Sequence, residues 1–219
     1  LLLYYITDRT QFAGDESARR RALLAKIAEA ARWGVDFIQL REKDLPVREL
    51  ESLARTAVGV VREQKPQAAR LGKRTRILIN SRVDVAIASG ADGVHLRSDD
   101  ISPSDVRKIW GRNAAAGKRS QPWIGVSCHT LSEVAQARSA GANFAVFAPV
   151  FQKRETPGTL PSGLGALAKA CQEKIPVIAL GGITLENANS CLEQGAAGIA
   201  GIRLFQQGDM SAVVAKLRP

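Results

Sequence analysis

Residues 37–43 read Phe37-Ile38-Gln39-Leu40-Arg41-Glu42-Lys43: an apolar run that stops in an amide, a guanidinium, a carboxylate and an ammonium. Charges are costly away from water unless they are paired or bind something. In an extended chain Gln39, Arg41 and Lys43 share one face. A planar guanidinium fork and an ammonium point charge both suit phosphate oxygens. The segment reads as an anion grip at a strand mouth. An internal salt bridge through Glu42 is the alternative.

Similar chemistry follows other apolar runs. Thr7-Asp8, Asn80-Ser81-Arg82, the group His95, Arg97, Asp99 and Asp100, the pair Ser127 and His129, and the stretch 152–158 all stand just past or at the end of one. Gly181-Gly182-Ile183-Thr184 and Gly201-Ile202-Arg203 end the last two runs. Glycines there let backbone amides approach a phosphate, with a short helix N-terminus behind them. Gly181-Gly182 also suits a plain tight turn. Asp99-Asp100 reads either as part of a helix cap before Ser102 or, opposite Arg41 and Lys43, as a magnesium site at Asp100. Such a site needs only one or two carboxylates when phosphate oxygens share the ion. His95 fits a satisfied core histidine. His129, past a strand end, is the better acid–base candidate.

The elements that must position these residues repeat along the chain. Short β-rich runs are Leu2–Ile6, Phe37–Leu40, Ile77–Ile79, Gly93–Leu96, Trp123–Ser127, Phe144–Phe147, Pro176–Leu180 and Gly198–Ile202. Most are apolar without alternation, as parallel strands covered on both faces are. Helical patterns lie between them, over Ser17–Trp33, Pro46–Glu63, Val83–Ser89, Ser102–Trp110, Leu131–Ala140, Leu164–Glu173, Leu185–Gln194 and Met210–Leu217. Ser102-Pro103 reads as an N-cap followed by proline at the first helical position, and Thr130 with Glu133 as a capping box.

One signature recurs: Gly34-Val35-Asp36, Gly90-Ala91-Asp92, Gly141-Ala142-Asn143 and Gly195-Ala196-Ala197 each close a helix and open a strand. Glycine supplies the left-handed helix stop. The glycines are 56, 51 and 54 residues apart, about two strand–helix units each. Four such pairs predict an α/β fold, a single (β/α)8 TIM barrel over residues 1–219. A doubly wound open sheet is the runner-up, weakened because no Gly-x-Gly-x-x-Gly follows the first strand. In the barrel, strand-to-helix loops form the catalytic mouth.

Bulk properties narrow the function. A 45% hydrophobic content supports a sizeable core, and no apolar run reaches the roughly 18 residues of a membrane span. Leu1–Ile6 is too short for a signal-peptide core. Cys128, Cys171 and Cys191 form no Cys-x-x-Cys pair, so a metal or disulfide framework is poorly supported and a cytoplasmic setting is expected. Cys128 beside His129 could suggest a nucleophile, but neighbours at a strand end point apart. The net charge of +10 raises nucleic acid as a partner. The basic residues Lys65, Arg70, Lys73, Arg74, Arg76, Arg112, Lys118 and Arg119 instead fall in helix-to-strand stretches at the far end from the mouth, without interleaved aromatics. The expected partners are small phosphorylated molecules, not nucleic acid or membrane. Oligomeric state stays open, a homodimer included.

The ordered blocks Gln39-Leu40-Arg41-Glu42-Lys43, Arg82-Val83-Asp84-Val85-Ala86, Ala91-Asp92-Gly93-Val94-His95-Leu96, Gly125-Val126-Ser127-Cys128-His129-Thr130 and Ala179-Leu180-Gly181-Gly182-Ile183-Thr184 resemble the thiamine-phosphate synthase family, including its thiazole tautomerase branch. The resemblance implies a (β/α)8 barrel that joins hydroxymethylpyrimidine diphosphate to thiazole phosphate and releases pyrophosphate. It implies that Gln39, Arg41, Lys43 and Asn80 hold the pyrimidine diphosphate and that Ser127 contacts the pyrimidine. Asp100 would ligate Mg²⁺. Gly181, Gly182, Ile202 and Arg203 would hold the thiazole phosphate, and Lys153 and Thr156 would serve from the sixth loop.

Three positions depart from the family pattern. Ser81 stands where a second Mg²⁺-ligating Asp is usual, Lys153-Arg154-Glu155-Thr156 replaces Thr-x-Thr-Lys, and Arg203 replaces a Ser. A tautomerase-like isomerase using His129, and a non-catalytic thiazole or thiamine phosphate-binding barrel, are the alternatives.

Overall fold

The computed structural model describes residues 1–64, 74–113, 121–152 and 160–218. Eight parallel strands follow one another in chain order as a closed barrel, with helices in the crossovers. The strands are β1 (Leu2–Ile6), β2 (Phe37–Leu40), β3 (Arg76–Asn80), β4 (Gly93–Leu96), β5 (Trp123–Cys128), β6 (Phe144–Phe147), β7 (Val177–Ala179) and β8 (Gly198–Gly201). The crossovers hold α1 (Glu16–Arg32), α2 (Val47–Glu63), α3 (Val83–Ser89), α4 (Pro103–Asn113), α5 (Leu131–Ser139), α6 (Gly163–Cys171) and α7 (Ala188–Glu193), with α8 (Arg203–Gln206) and α9 (Met210–Leu217) after β8. The expected (β/α)8 barrel is the observed fold.

Most boundaries fall within two residues of the sequence reading. Two short elements were not anticipated, a 3₁₀ turn at Arg9–Gln11 and the single-turn helix α8. Neither is long enough to carry a 3.6-residue pattern. α7 begins three residues later than expected, because Asn187 closes a turn first. Its side-chain oxygen accepts from Thr184 N at 2.8 Å and its amide donates to Gly182 O at 3.0 Å.

Two compact units are distinguished. One comprises Leu3–Val94 and Ile202–Pro219, the other Leu1–Leu2 and His95–Gly201. In the first, β1 pairs with β2 and β2 with β3, and Tyr4 meets Phe37 edge-on with ring centroids 5.9 Å apart. Helix α2 buries Leu50, Leu53, Ala54, Ala57, Val58 and Val61, one stripe at helical spacing. In the second, β5 to β8 pair in sequence, and Phe144 and Phe147 are fully buried.

The recurring Gly-x-Asp signature has a common structural cause. Gly34, Gly90, Gly141 and Gly195 all have positive φ, between 73° and 91°, and end a helix in the left-handed region. Two residues later the backbone N–H of Asp36, Asp92, Asn143 or Ala197 donates to the carbonyl of Leu3, Ile77, Ile124 or Val177 on the preceding odd-numbered strand. In three repeats the side chain returns to the same residue. Asp36 Oδ2 accepts Leu3 N at 2.7 Å, Asp92 Oδ2 accepts Ile77 N at 2.9 Å and Asn143 Oδ1 accepts Ile124 N at 2.8 Å. An arginine then pairs with each side chain: Arg218 and Arg107 share the oxygen that accepts the backbone N–H, and Arg74 takes the other oxygen of Asp92. Ala197 lacks the side chain for this clamp. The capping box at Thr130–Glu133 and the Ser102 cap on Asp105 N form as the sequence implies.

Candidate functional site

The first unit carries the grip. Gln39 lies within β2 and is 2% exposed, and its Nε2 donates to Asn80 Oδ1, at the end of β3, at 2.7 Å. The Gln39 Oε1 is buried and has no hydrogen-bond partner among the described residues. A buried unpaired acceptor is expensive, which sets this oxygen apart from the other polar atoms of β2. Arg41 is half-buried, and its backbone N–H donates to Thr7 Oγ1 at 3.0 Å. Among the described residues its guanidinium has no ion-pair or hydrogen-bond partner. Lys43 is exposed.

Glu42 corrects the simple picture of the grip. It is buried, and its carboxylate accepts from Thr7 Oγ1 at 2.5 Å, Arg9 N at 3.0 Å and Arg9 Nη1 at 3.3 Å. The salt bridge that the sequence allowed therefore exists, but its cation is Arg9, a residue without a motif around it.

Ser81 has φ +58°, the one positive value at a non-glycine residue among the described residues. The left-handed region costs a side chain about 1–2 kcal/mol and clusters at functional sites. Its Oγ lies 3.3 Å from Asn80 Nδ2, a long contact.

Past β8, Ile202 caps α8, whose turn is closed by Gln206 N to Ile202 O at 2.8 Å. Gln206 then ties α8 to the end of β1. Its Oε1 accepts Tyr5 Oη at 2.8 Å and Asp8 N at 3.2 Å, and its Nε2 donates to Asp8 O at 2.7 Å. Arg203 is half-buried at the first position of α8. Gln206 was not among the residues singled out from the sequence, since nothing local distinguishes a glutamine whose partners lie near the chain's start.

The second unit carries Asp100, Ser127, His129 and the β7 glycines. Ser127 Oγ is 2.8 Å from His95 Nε2, and His95 is 2% exposed. His95 is thus the satisfied core histidine that the sequence suggests, and its partner is the Ser127 hydroxyl. Gly125 makes room for it, because a Cβ there would stand 3.0 Å from His95 Nδ1 and 2.5 Å from the Phe144 ring.

His129 is exposed. Its Nδ1 lies 2.7 Å from Ala148 O, so Nδ1 donates to that carbonyl, and in the neutral tautomer Nε2 is the acceptor. Glu133 accepts from the backbone N–H groups of His129 at 2.5 Å and Thr130 at 2.9 Å. Burial pushes the Glu133 carboxyl up, but these bonds and one from Ser98 together outweigh it and hold its pKa below the usual value. Cys128 is fully buried, and burial, with Glu133 nearby, pushes its thiol up to about 12. Thiolates are the nucleophilic form, so the Cys128–His129 pair is not a catalytic dyad.

Asp100 Oδ2 accepts Arg97 N at 2.8 Å, and its Oδ1 is 3.5 Å from Arg97 Nε. Asp99 is exposed. The helix cap belongs to Ser102, leaving Asp100 to close its own loop. Gly181 and Gly182 have φ of +99° and +65°. A Cβ on Gly182 would meet Gln152 O at 2.5 Å and Phe151 Cβ at 2.8 Å, so the close approach requires glycine. Lys153 and Thr156 lie outside the described residues. Among those described, no cluster of three or more His, Cys, Asp or Glu could form an all-protein metal cage.

Residues 3–205 match the family model described as thiamine monophosphate synthase. The chain belongs to the thiamine monophosphate synthase family. It is 36% identical over 219 residues to the thiamine-phosphate synthase of Syntrophomonas wolfei, covering 99% of this chain and 94% of the relative. It is 34% identical to the thiamine-phosphate synthase of Methanoculleus marisnigri, covering 99% and 93%. Among solved structures, the thiamine phosphate pyrophosphorylase from Pyrococcus furiosus superposes with a TM-score of 0.76 at 30% identity, covering 100% of this chain and 94% of that one. A 3-hexulose-6-phosphate synthase shares the fold alone, at 17% identity and a TM-score of 0.64. The family is one of thiamine-biosynthesis transferases.

Proposed function

We propose that the chain couples hydroxymethylpyrimidine diphosphate to thiazole phosphate, forming thiamine phosphate and pyrophosphate. The observation that carries this reading is the end of β2: a half-buried Arg41 guanidinium without a partner among the described residues, near a buried Gln39 oxygen in the same state. In this reading Arg41 and Lys43 take diphosphate oxygens, while Gln39 and Asn80 orient the pyrimidine end. Ser127, fixed by His95, contacts the ring. Backbone amides at Gly181, Gly182, Ile202 and Arg203 hold the thiazole phosphate, with the Arg203 side chain as an added cation. Lys153 and Thr156 serve the leaving group.

The bond between the pyrimidine methylene carbon and oxygen breaks first, and its electron pair leaves on pyrophosphate. The thiazole nitrogen then donates its lone pair to the resulting cation, forming the C–N bond. The protein's contribution is positioning and electrostatic stabilisation of the departing charge.

Asp100 and Ser81 fit Mg²⁺ as hard oxygen donors that supply one carboxylate, enough for an ion held mainly by phosphates and water. Mg²⁺, when bound, supplies neutralisation of diphosphate charge. The chain is further proposed to act as one barrel domain in the cytoplasm, with phosphorylated thiamine precursors as its partners and dimerisation open to sedimentation. Among the described residues no helix is long and apolar enough to cross a membrane.

A second reading, a metal-independent thiazole isomerase, is favoured by the Nε2 acceptor that the Nδ1 bond to Ala148 leaves on neutral His129. An end-point assay with both thiamine precursors, with and without Mg²⁺, separates the readings. Mg²⁺-dependent thiamine phosphate is expected, with a higher rate for Ser81→Asp. No coupling by folded protein, with isomerisation that His129→Ala abolishes, would favour the isomerase. Precursor binding in calorimetry without any turnover would make the chain a binder.

A further inference from the structure

Glu42 interrupts the grip with the wrong charge. Its side chain is 1% exposed, so its charge must be answered inside the protein. The answer is directional. A carboxylate can only accept, so the single Thr7 proton goes to Glu42 Oε1 at 2.5 Å. The Thr7 oxygen is then left as an acceptor, and it takes the backbone N–H of Arg41 at 3.0 Å. Arg41 N–H, Thr7 hydroxyl and Glu42 carboxylate form one polarised chain.

Arg9 locks the other end. It gives Glu42 both its backbone N–H and one guanidinium nitrogen. The same guanidinium holds Asp44 through two bonds, at 2.6 and 2.8 Å, and Glu16 at 2.8 Å. Bidentate pairing of this kind fixes orientation as well as distance. Residues 41, 42 and 44 are thereby tied to the turn that follows β1, and Lys43 stands between two tied neighbours. A surface salt bridge would stabilise the fold without placing Arg41. This chain of bonds ends on the Arg41 backbone.

We infer that Thr7, Arg9 and Glu42 are positioning residues that set the geometry of the Arg41–Lys43 anion grip. The inference rests on the proposed reaction for its substrate, but not for the binding of a diphosphate group as such. All three residues are buried. Their effect is transmitted through backbone placement, so it acts on the diphosphate partner and leaves the thiazole phosphate partner alone.

The test uses the full chain with Thr7→Val, which keeps shape and removes the hydroxyl, and Thr7→Ser, which restores it. Calorimetry with inorganic pyrophosphate and Mg²⁺ is run beside steady-state kinetics with both precursors. Thr7→Val should weaken pyrophosphate binding at least tenfold and raise the KM for the pyrimidine diphosphate similarly. The KM for thiazole phosphate should stay within twofold, and Thr7→Ser should recover both changes to within threefold. If Thr7→Val does not fold, Glu42→Gln decides, with the same selective loss expected. Undiminished pyrophosphate binding in the deciding variant, a parallel rise in both KM values, or a Thr7→Ser variant no better than Thr7→Val would overturn the inference. So would a wild-type protein that binds no pyrophosphate. A wild type that binds pyrophosphate but forms no thiamine phosphate would sink the proposed reaction alone, and the binding data would then decide the positioning role.

Discussion

Asp44 is mostly exposed, yet both its oxygens take nitrogens of the buried Arg9. The hydrogen bonds from Arg9 hold its pKa below the usual aspartate value, outweighing the upward push of burial. Glu16, held by Arg9 and then Arg20, is shifted the same way. A depressed folded-state pKa contributes stability that is complete above the unfolded value and is lost as pH falls through the folded one. Wild-type protein should therefore lose stability progressively below the ordinary carboxylate range, about pH 4. Asp44→Asn should be less stable at neutral pH by no more than about 1 kcal/mol, because the group is exposed and screened. Urea midpoints at several pH values check this. A gap between the two proteins that persists undiminished in strong acid would show that ion pairing is not its source.

At the scale of elements, the clamp at the start of alternate strands explains why the glycine signature repeats every two units. Each clamp joins a helix stop to the strand beside it and satisfies a backbone N–H that would otherwise be stranded at the end of the ladder. Asn143→Ala should leave Ile124 N and one Arg107 nitrogen without their side-chain acceptor and cost about 1–3 kcal/mol, while Asn143→Asp should cost less. Chemical denaturation measures both. The fold already tolerates Ala197 at the fourth equivalent position, so the alanine variant should remain folded. A cost below about 0.5 kcal/mol would mean that water replaces the clamp at no loss.

For the whole molecule, the boundary between the two compact units runs through strands. Leu2 and Leu3 of β1 fall in different units, as do Val94 and His95 of β4. A chain that acts as one barrel domain should unfold in a single cooperative transition. Far-ultraviolet circular dichroism and tryptophan fluorescence should coincide along a urea titration. Two separated transitions would argue that the units fold independently.

Strand and helix identities were legible because buried parallel strands leave continuous apolar runs and the helix stops need glycine. The eightfold count followed from the spacing of Gly34, Gly90, Gly141 and Gly195. The residue types at the strand ends already pointed to phosphate chemistry, since guanidinium, ammonium and glycine-rich backbone are the groups that bind it. What only the tertiary structure decided is who partners whom. Glu42 answers to Arg9 and Thr7, more than thirty residues earlier, and Gln206 to Asp8, 198 residues away. His95 is the satisfied core histidine that the sequence suggests, but only the structure names its partner as Ser127. Hydrogen bonds and ion pairs act over about 3 Å, and sequence distance carries no record of which side chains closure of the barrel brings that near.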